Sequence, residues 1–161
     1  MKVFLKREKT SGNVIFTVKD CMSDDKYTVT AKEGTPMSKA YIKDNSGIKR
    51  LVIRRINLPM YTLYSISSGG ERISLVTSHG TVPECIFYGI SWHIRGDVRK
   101  KSYDIVDADN SVVAAVSKAG VGKCDALALN IFCEQRELFS IGVAVCLSME
   151  KAVDCEVFQT I

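Results

Sequence analysis

The chain has 161 residues, of which 46% are hydrophobic, 25% charged and only three proline. This balance fits one compact domain with a single core and excludes disordered, fibrous and low-complexity classes. The formal net charge of +4 is a mild basic bias, compatible with anionic partners but specific to none.

The first residues, MKVFLKREKT, have no long apolar core before a small-residue cleavage site, so no secretory signal is expected. Strands are predicted at Val3–Lys6, Val14–Val18 and Tyr27–Ala31, where apolar residues alternate with polar ones. Next comes AYIKDNSGIKRLVIRR, Ala40 to Arg55, and then YTLYSISSGGERISLVTS, Tyr61 to Ser78. Each starts near a tyrosine, passes through a Gly, Asn or Ser turn and resumes with β-branched residues, which is a hairpin pattern. Further strands are predicted at Cys85–Tyr88 and Ile90–Ile94, followed by a third hairpin at Ser102–Lys118 and a strand at Ala126–Phe132. Asn45-Ser46-Gly47, Ser68-Gly69-Gly70 and Asp109-Asn110 supply residues that tolerate the positive φ of tight turns. About a dozen antiparallel strands with no helical period before residue 134 imply a barrel or a sandwich, since exposed sheet edges invite aggregation.

The last element, LFSIGVAVCLSM from Leu138 to Met149, is locally ambiguous. It is too short to span a bilayer as a helix, which takes about 20 apolar residues. As a strand it alternates large residues with small ones. As a helix it is apolar on every side and must be enclosed. Glu134 and Glu137 before it and Lys151 after it suit the two ends of a helix dipole.

The hairpin YDIVDADNSVVAAVSK, the strand DALALNIF and the terminal apolar segment, together with the two earlier hairpins and CIFYGISWHI, resemble the LURP-one-related family over about residues 38 to 150. That family belongs with the tubby C-terminal-like and phospholipid scramblase-like proteins. The resemblance implies a single domain over residues 1–161: a closed, mainly β barrel of about twelve antiparallel strands around a hydrophobic C-terminal helix at about 136–152. The alternative is a sandwich with 140–149 as an interior strand. Within the barrel, Ser140, Gly142, Ala144 and Ser148 would permit close approach of strands to the helix.

No catalytic set is gathered in the sequence. His79 beside Gly80 reads as an exposed loop imidazole, and His93 beside Trp92 as packed or at a barrel rim. No G-x-S-x-G elbow exists. GVGK, Gly120 to Lys123, lacks the first glycine of a phosphate loop and has Cys124 after its lysine. Asp104, Asp107 and Asp109 lack the closing glutamate of a calcium loop and read as turn chemistry. The cysteines, Cys21, Cys85, Cys124, Cys133, Cys146 and Cys155, have no C-x-x-C spacing, so free, mostly buried thiols in a reducing cytoplasm are expected. No cofactor, metal or transmembrane span is expected, and nucleic acid is disfavoured as a partner.

Basic residues are the one feature that carries binding. Lys49, Arg50 and Arg54 flank an apolar run, and Arg99, Lys100 and Lys101 are contiguous. The resemblance gives them a role as contacts to anionic phospholipid headgroups, since tubby-type domains bind phosphoinositides through surface Lys and Arg. Near an anionic surface each contributes about 1 kcal/mol. Arg54 and Arg55 are expected on opposite faces, because successive strand residues alternate. The competing reading is solvated charge that protects sheet edges. The expected role is therefore a non-enzymatic binding or scaffold module, cytoplasmic and peripheral to membrane. The alternatives are a carrier of a small apolar ligand inside the barrel and an enzyme of unfamiliar type.

Overall fold

A computed structural model describes residues 1–8, 13–31, 39–79, 84–119 and 126–159, with backbone alone from residue 150. Twelve strands are β1 (Lys2–Arg7), β2 (Val14–Asp20), β3 (Asp25–Ala31), β4 (Lys39–Asp44), β5 (Lys49–Asn57), β6 (Tyr61–Ser68), β7 (Glu71–Ser78), β8 (Cys85–Tyr88), β9 (His93–Asp97), β10 (Ser102–Val106), β11 (Val112–Ala119) and β12 (Ala126–Ile131). A short 3-10 turn, Glu134–Arg136, leads into one helix, α1 (Glu137–Gln159).

Every strand pairs antiparallel with its sequence neighbour, except that β8 and β9 share no ladder, and β1 pairs with β12. The result is a nearly closed barrel whose seam lies in mid-chain and whose two terminal strands seal each other. Burial alternates along each strand: Thr62, Tyr64 and Ile66 of β6 face inward, and Tyr61, Leu63 and Ser65 face outward. The expected turn residues do take the left-handed conformation, with Gly69 at φ +57°, Gly70 at +84° and Asn110 at +67°. The Gly120–Lys123 segment lies outside the described residues.

The expected mainly β barrel of about twelve antiparallel strands around a C-terminal helix is the fold found, with its seam between β8 and β9. One expectation needs correction: the strand expected at Ile90–Ile94 begins only at His93. Trp92 is buried without joining a ladder there, packing edge-on against Phe87 with ring centroids 6.1 Å apart.

The terminal apolar segment is the helix, and it runs inside the barrel. Phe139 through Leu147 are buried without a break, so a helix apolar on all sides finds an apolar wall on all sides. The wall comes close at Gly142, where an added Cβ would stand 3.2 Å from Ile66 Cγ2 and 3.3 Å from Leu51 Cδ2. The start of the helix is pinned to the wall by ion pairs from Glu137 to Lys26 and from Arg136 to Glu71, both 2.6 Å. No helix among the described residues is long and apolar enough to cross a membrane.

A candidate anion-binding face

Antiparallel order fixes which turns share an end of the barrel. The β2–β3, β4–β5 and β6–β7 turns lie at the upper end, where the helix begins, and the β5–β6 and β9–β10 turns lie at the lower end. Lys49, Arg50 and Arg54 therefore sit on β5 at or below the upper rim. Arg99, Lys100 and Lys101 sit in the β9–β10 turn at the lower rim, so the six residues do not form one patch. In that lower turn the Asp97 carboxylate accepts the Lys100 backbone N–H at 3.1 Å, and Lys101 adopts φ +56°.

The β4–β5 hairpin gathers further charge around the first group. Tyr41 lies on its outer face with the Lys49 Nζ 4.0 Å and the Lys39 Nζ 5.4 Å from its ring centroid. Arg54 stands directly opposite Lys39 in the ladder. The Tyr41 hydroxyl is lowered from its ordinary pKa, first by a hydrogen bond with Lys39 and further by the charges of Lys39, Lys49 and Arg54. Among the described residues Lys39, Lys49 and Arg54 make no ion pair. Arg50 differs: its Nε lies 2.7 Å from Asp44 Oδ2, and that contact leads the effects that hold the Asp44 carboxyl below its usual range.

Beside this cluster an open groove of about 380 Å³ runs between the ends of the two hairpins, with Lys49 and Arg50 on one side and Arg72 on the other. Ser68 Oγ donates to the Arg50 carbonyl oxygen at 2.7 Å and ties the two hairpins together. Glu71 also borders the groove, but its carboxylate is engaged by Arg136.

Lys39, Tyr41 and Arg72 were not singled out from the sequence. A bulge between Ile42 and Lys43 explains why. Counting back from the Lys43↔Lys49 pair would set Lys39 against Ile53, an inward residue. The bulge slips the register by one and brings Lys39 to Arg54. Arg54 and Arg55 do separate as alternation requires: Arg54 is exposed, whereas Arg55 is buried and donates from Nε to Asn57 Oδ1 at 3.1 Å.

The residues weighed for chemistry are engaged in local structure. His79 Nε2 lies 2.8 Å from Thr62 Oγ1, and His93 is exposed at the start of β9. Asp104 pairs with Arg95 at 3.0 Å, and Asp107 accepts from Ala108 N and Ser91 Oγ. Of the described cysteines Cys146 is buried, Cys85 and Cys133 half-buried and Cys21 exposed.

The sequence model of the LURP-one-related family matches residues 1–148. The chain belongs to this family. It is similar to the uncharacterized protein YxjI of Bacillus subtilis (strain 168), at 25% identity over 151 residues, covering 92% of this chain and 93% of that protein. Its fold is similar to the X-ray structure of a protein from Arabidopsis thaliana, with a TM-score of 0.58 and 13% identity over 94% of this chain and 91% of that one. At such identity the second likeness concerns the fold alone.

Proposed function

We propose that this LURP-one-related barrel is a binding module, without chemistry of its own, that docks on anionic phospholipid headgroups at a cytoplasmic membrane surface. The observation that carries this reading is the set of Lys39, Lys49 and Arg54 around Tyr41, none of which makes an ion pair with a carboxylate among the described residues. Like charges held close repel one another, and an anion placed among them relieves that repulsion. Arg72 across the groove adds a fourth cation. That α1 runs buried along the axis of the barrel counts against the carrier alternative.

Vesicle co-sedimentation tests this. The protein is expected to pellet with phosphatidylcholine vesicles containing phosphatidylglycerol or phosphoinositide, not with phosphatidylcholine alone, and to be released by salt. Lys49→Ala with Arg54→Ala should weaken binding by roughly thirtyfold, at about 1 kcal/mol per cation. Arg99→Ala with Lys100→Ala, at the opposite end, should change it much less. The absence of pelleting at low salt would remove the proposal. Loss of binding only in the second pair would move the site to the β9–β10 turn.

A further inference from the structure

The outer face of β5–β8 is divided into a cationic part and an apolar part. The ladder places Ile56, Leu63, Val76 and Ile86 side by side on four successive strands. Neighbouring strands are about 4.8 Å apart, so this row is about 14 Å long. One step toward the upper end, about 7 Å along the strands, the parallel row reads Lys39, Arg54, Ser65, Ser74 and Tyr88 across β4–β8. One step toward the lower end lie Leu58 and Tyr61, with Met60 at the tip of the turn.

This concentration is not the ordinary scatter of single apolar side chains over a surface. Ten large hydrophobic residues are exposed among the described residues, and six of them, Ile56, Leu58, Met60, Tyr61, Ile86 and Tyr88, lie on this face. Met60 is 75% and Ile56 53% exposed. The other four, Met1, Met22, Ile48 and Phe132, sit at the upper end.

We infer that this apolar band enters the interfacial layer of an anionic bilayer while the adjoining row of cations meets the phosphates. The inference rests on the headgroup reading above and adds how the barrel is oriented and held. Charge decides between a bilayer and a second copy of the chain as the occupant. A bilayer presents phosphate at one level and acyl carbon just below it, in the same order as the two rows. A two-fold contact between copies would bring this face against itself. On this face the carboxylate of Glu84, one step below Ile86 and opposite Ser78, is outnumbered by Lys39 and Arg54, so the face is net cationic and repels its own copy.

Met60→Trp provides the test, because the change falls on an exposed turn and the one native tryptophan, Trp92, is buried. On vesicles of phosphatidylcholine with phosphatidylglycerol, the new indole should shift to shorter emission wavelength and be quenched by lipids brominated in the upper acyl chain. Ile56→Ser with Ile86→Ser should weaken vesicle binding by roughly tenfold and leave its salt dependence unchanged. If the protein pellets but the indole stays as in water, insertion is wrong and headgroup docking stands. If nothing pellets, both fall. If sedimentation equilibrium finds a dimer that Ile86→Ser dissociates, the face is an interface between copies and the inference is overturned.

Discussion

Tyr41 shows how far a single side chain is governed by its neighbours. The residue is half-buried, its hydroxyl is influenced by Lys39, Lys49 and Arg54, and the Lys39 hydrogen bond leads in favouring the phenolate. Tyr27 shows the opposite case: burial, reinforced by the charge of Glu137, pushes its pKa up to about 12. Tyr41 should therefore ionise below the ordinary tyrosine range and well before Tyr27. The sign follows from linkage: a group whose pKa is depressed on folding adds stability as pH rises through its folded value toward its unfolded one, and none below. Tyrosinate absorbance, taken as the difference between the parent and Tyr41→Phe, should give this midpoint, and Lys49→Met should raise it. A midpoint unmoved by Lys49→Met would mean that the lysine does not lie over the ring. The division of Arg54 and Arg55 between the two faces was legible in the sequence, because alternation is a local property of a strand. The company Tyr41 keeps was not. It depends on a bulge, and nothing in the residues around Ile42 and Lys43 announces one.

At the level of elements, the hairpins were legible because their turns carry their own chemistry. Gly69-Gly70 and Asn110 provide the positive φ that tight turns need. The β8–β9 connection misled for a physical reason: Ile90, Trp92 and Ile94 continue a period of two across a stretch that is not a strand. Trp92 is buried there by packing on Phe87, and side-chain packing leaves the same hydrophobic alternation as a ladder does. Beyond this connection, β9 depends on Gly96. That residue has φ +115°, and an added Cβ would lie 2.6 Å from the Ser102 carbonyl oxygen and 2.9 Å from Tyr103 Cα. Both neighbours are backbone and cannot swing aside, and a side chain at this φ is strained as well. Gly96→Ala should destabilise the protein by about 2 kcal/mol or more in urea unfolding. Because β9 pairs only with β10 among the described residues, hydrogen exchange should quicken in β9 first and leave β4–β7 protected. An alanine variant as stable as the parent would show that the hairpin accepts a side chain there.

For the whole molecule, the decisive feature is a helix with no polar side inside a wall of strands. The residues of 138–149 alone left helix and strand open, because alternation suited one and length the other. Enclosure settles it, and enclosure belongs to the fold rather than to the segment. Twelve strands with inward apolar side chains leave an axis that needs filling, and Phe139 to Leu147 fill it without exposing a residue. The same substitution on two faces of the barrel should then have very different effects. Val145 is fully buried on α1, so Val145→Asp forces a carboxyl into apolar packing. The cost should be about 4 kcal/mol or more, a large part of the roughly 5–15 kcal/mol that holds a domain of this size. Val76 sits on the outer face of β7 between Leu63 and Ile86, so Val76→Asp should lose about 1 kcal/mol of strand preference and remain folded. Thermal melts followed by circular dichroism separate the two, with Val145→Asp unfolded or melting far lower and Val76→Asp close to the parent. A Val145→Asp protein as stable as Val76→Asp would mean that the helix is not enclosed. The barrel would then have an interior free for a ligand, and the binding function would have to be sought inside it rather than on its outer face.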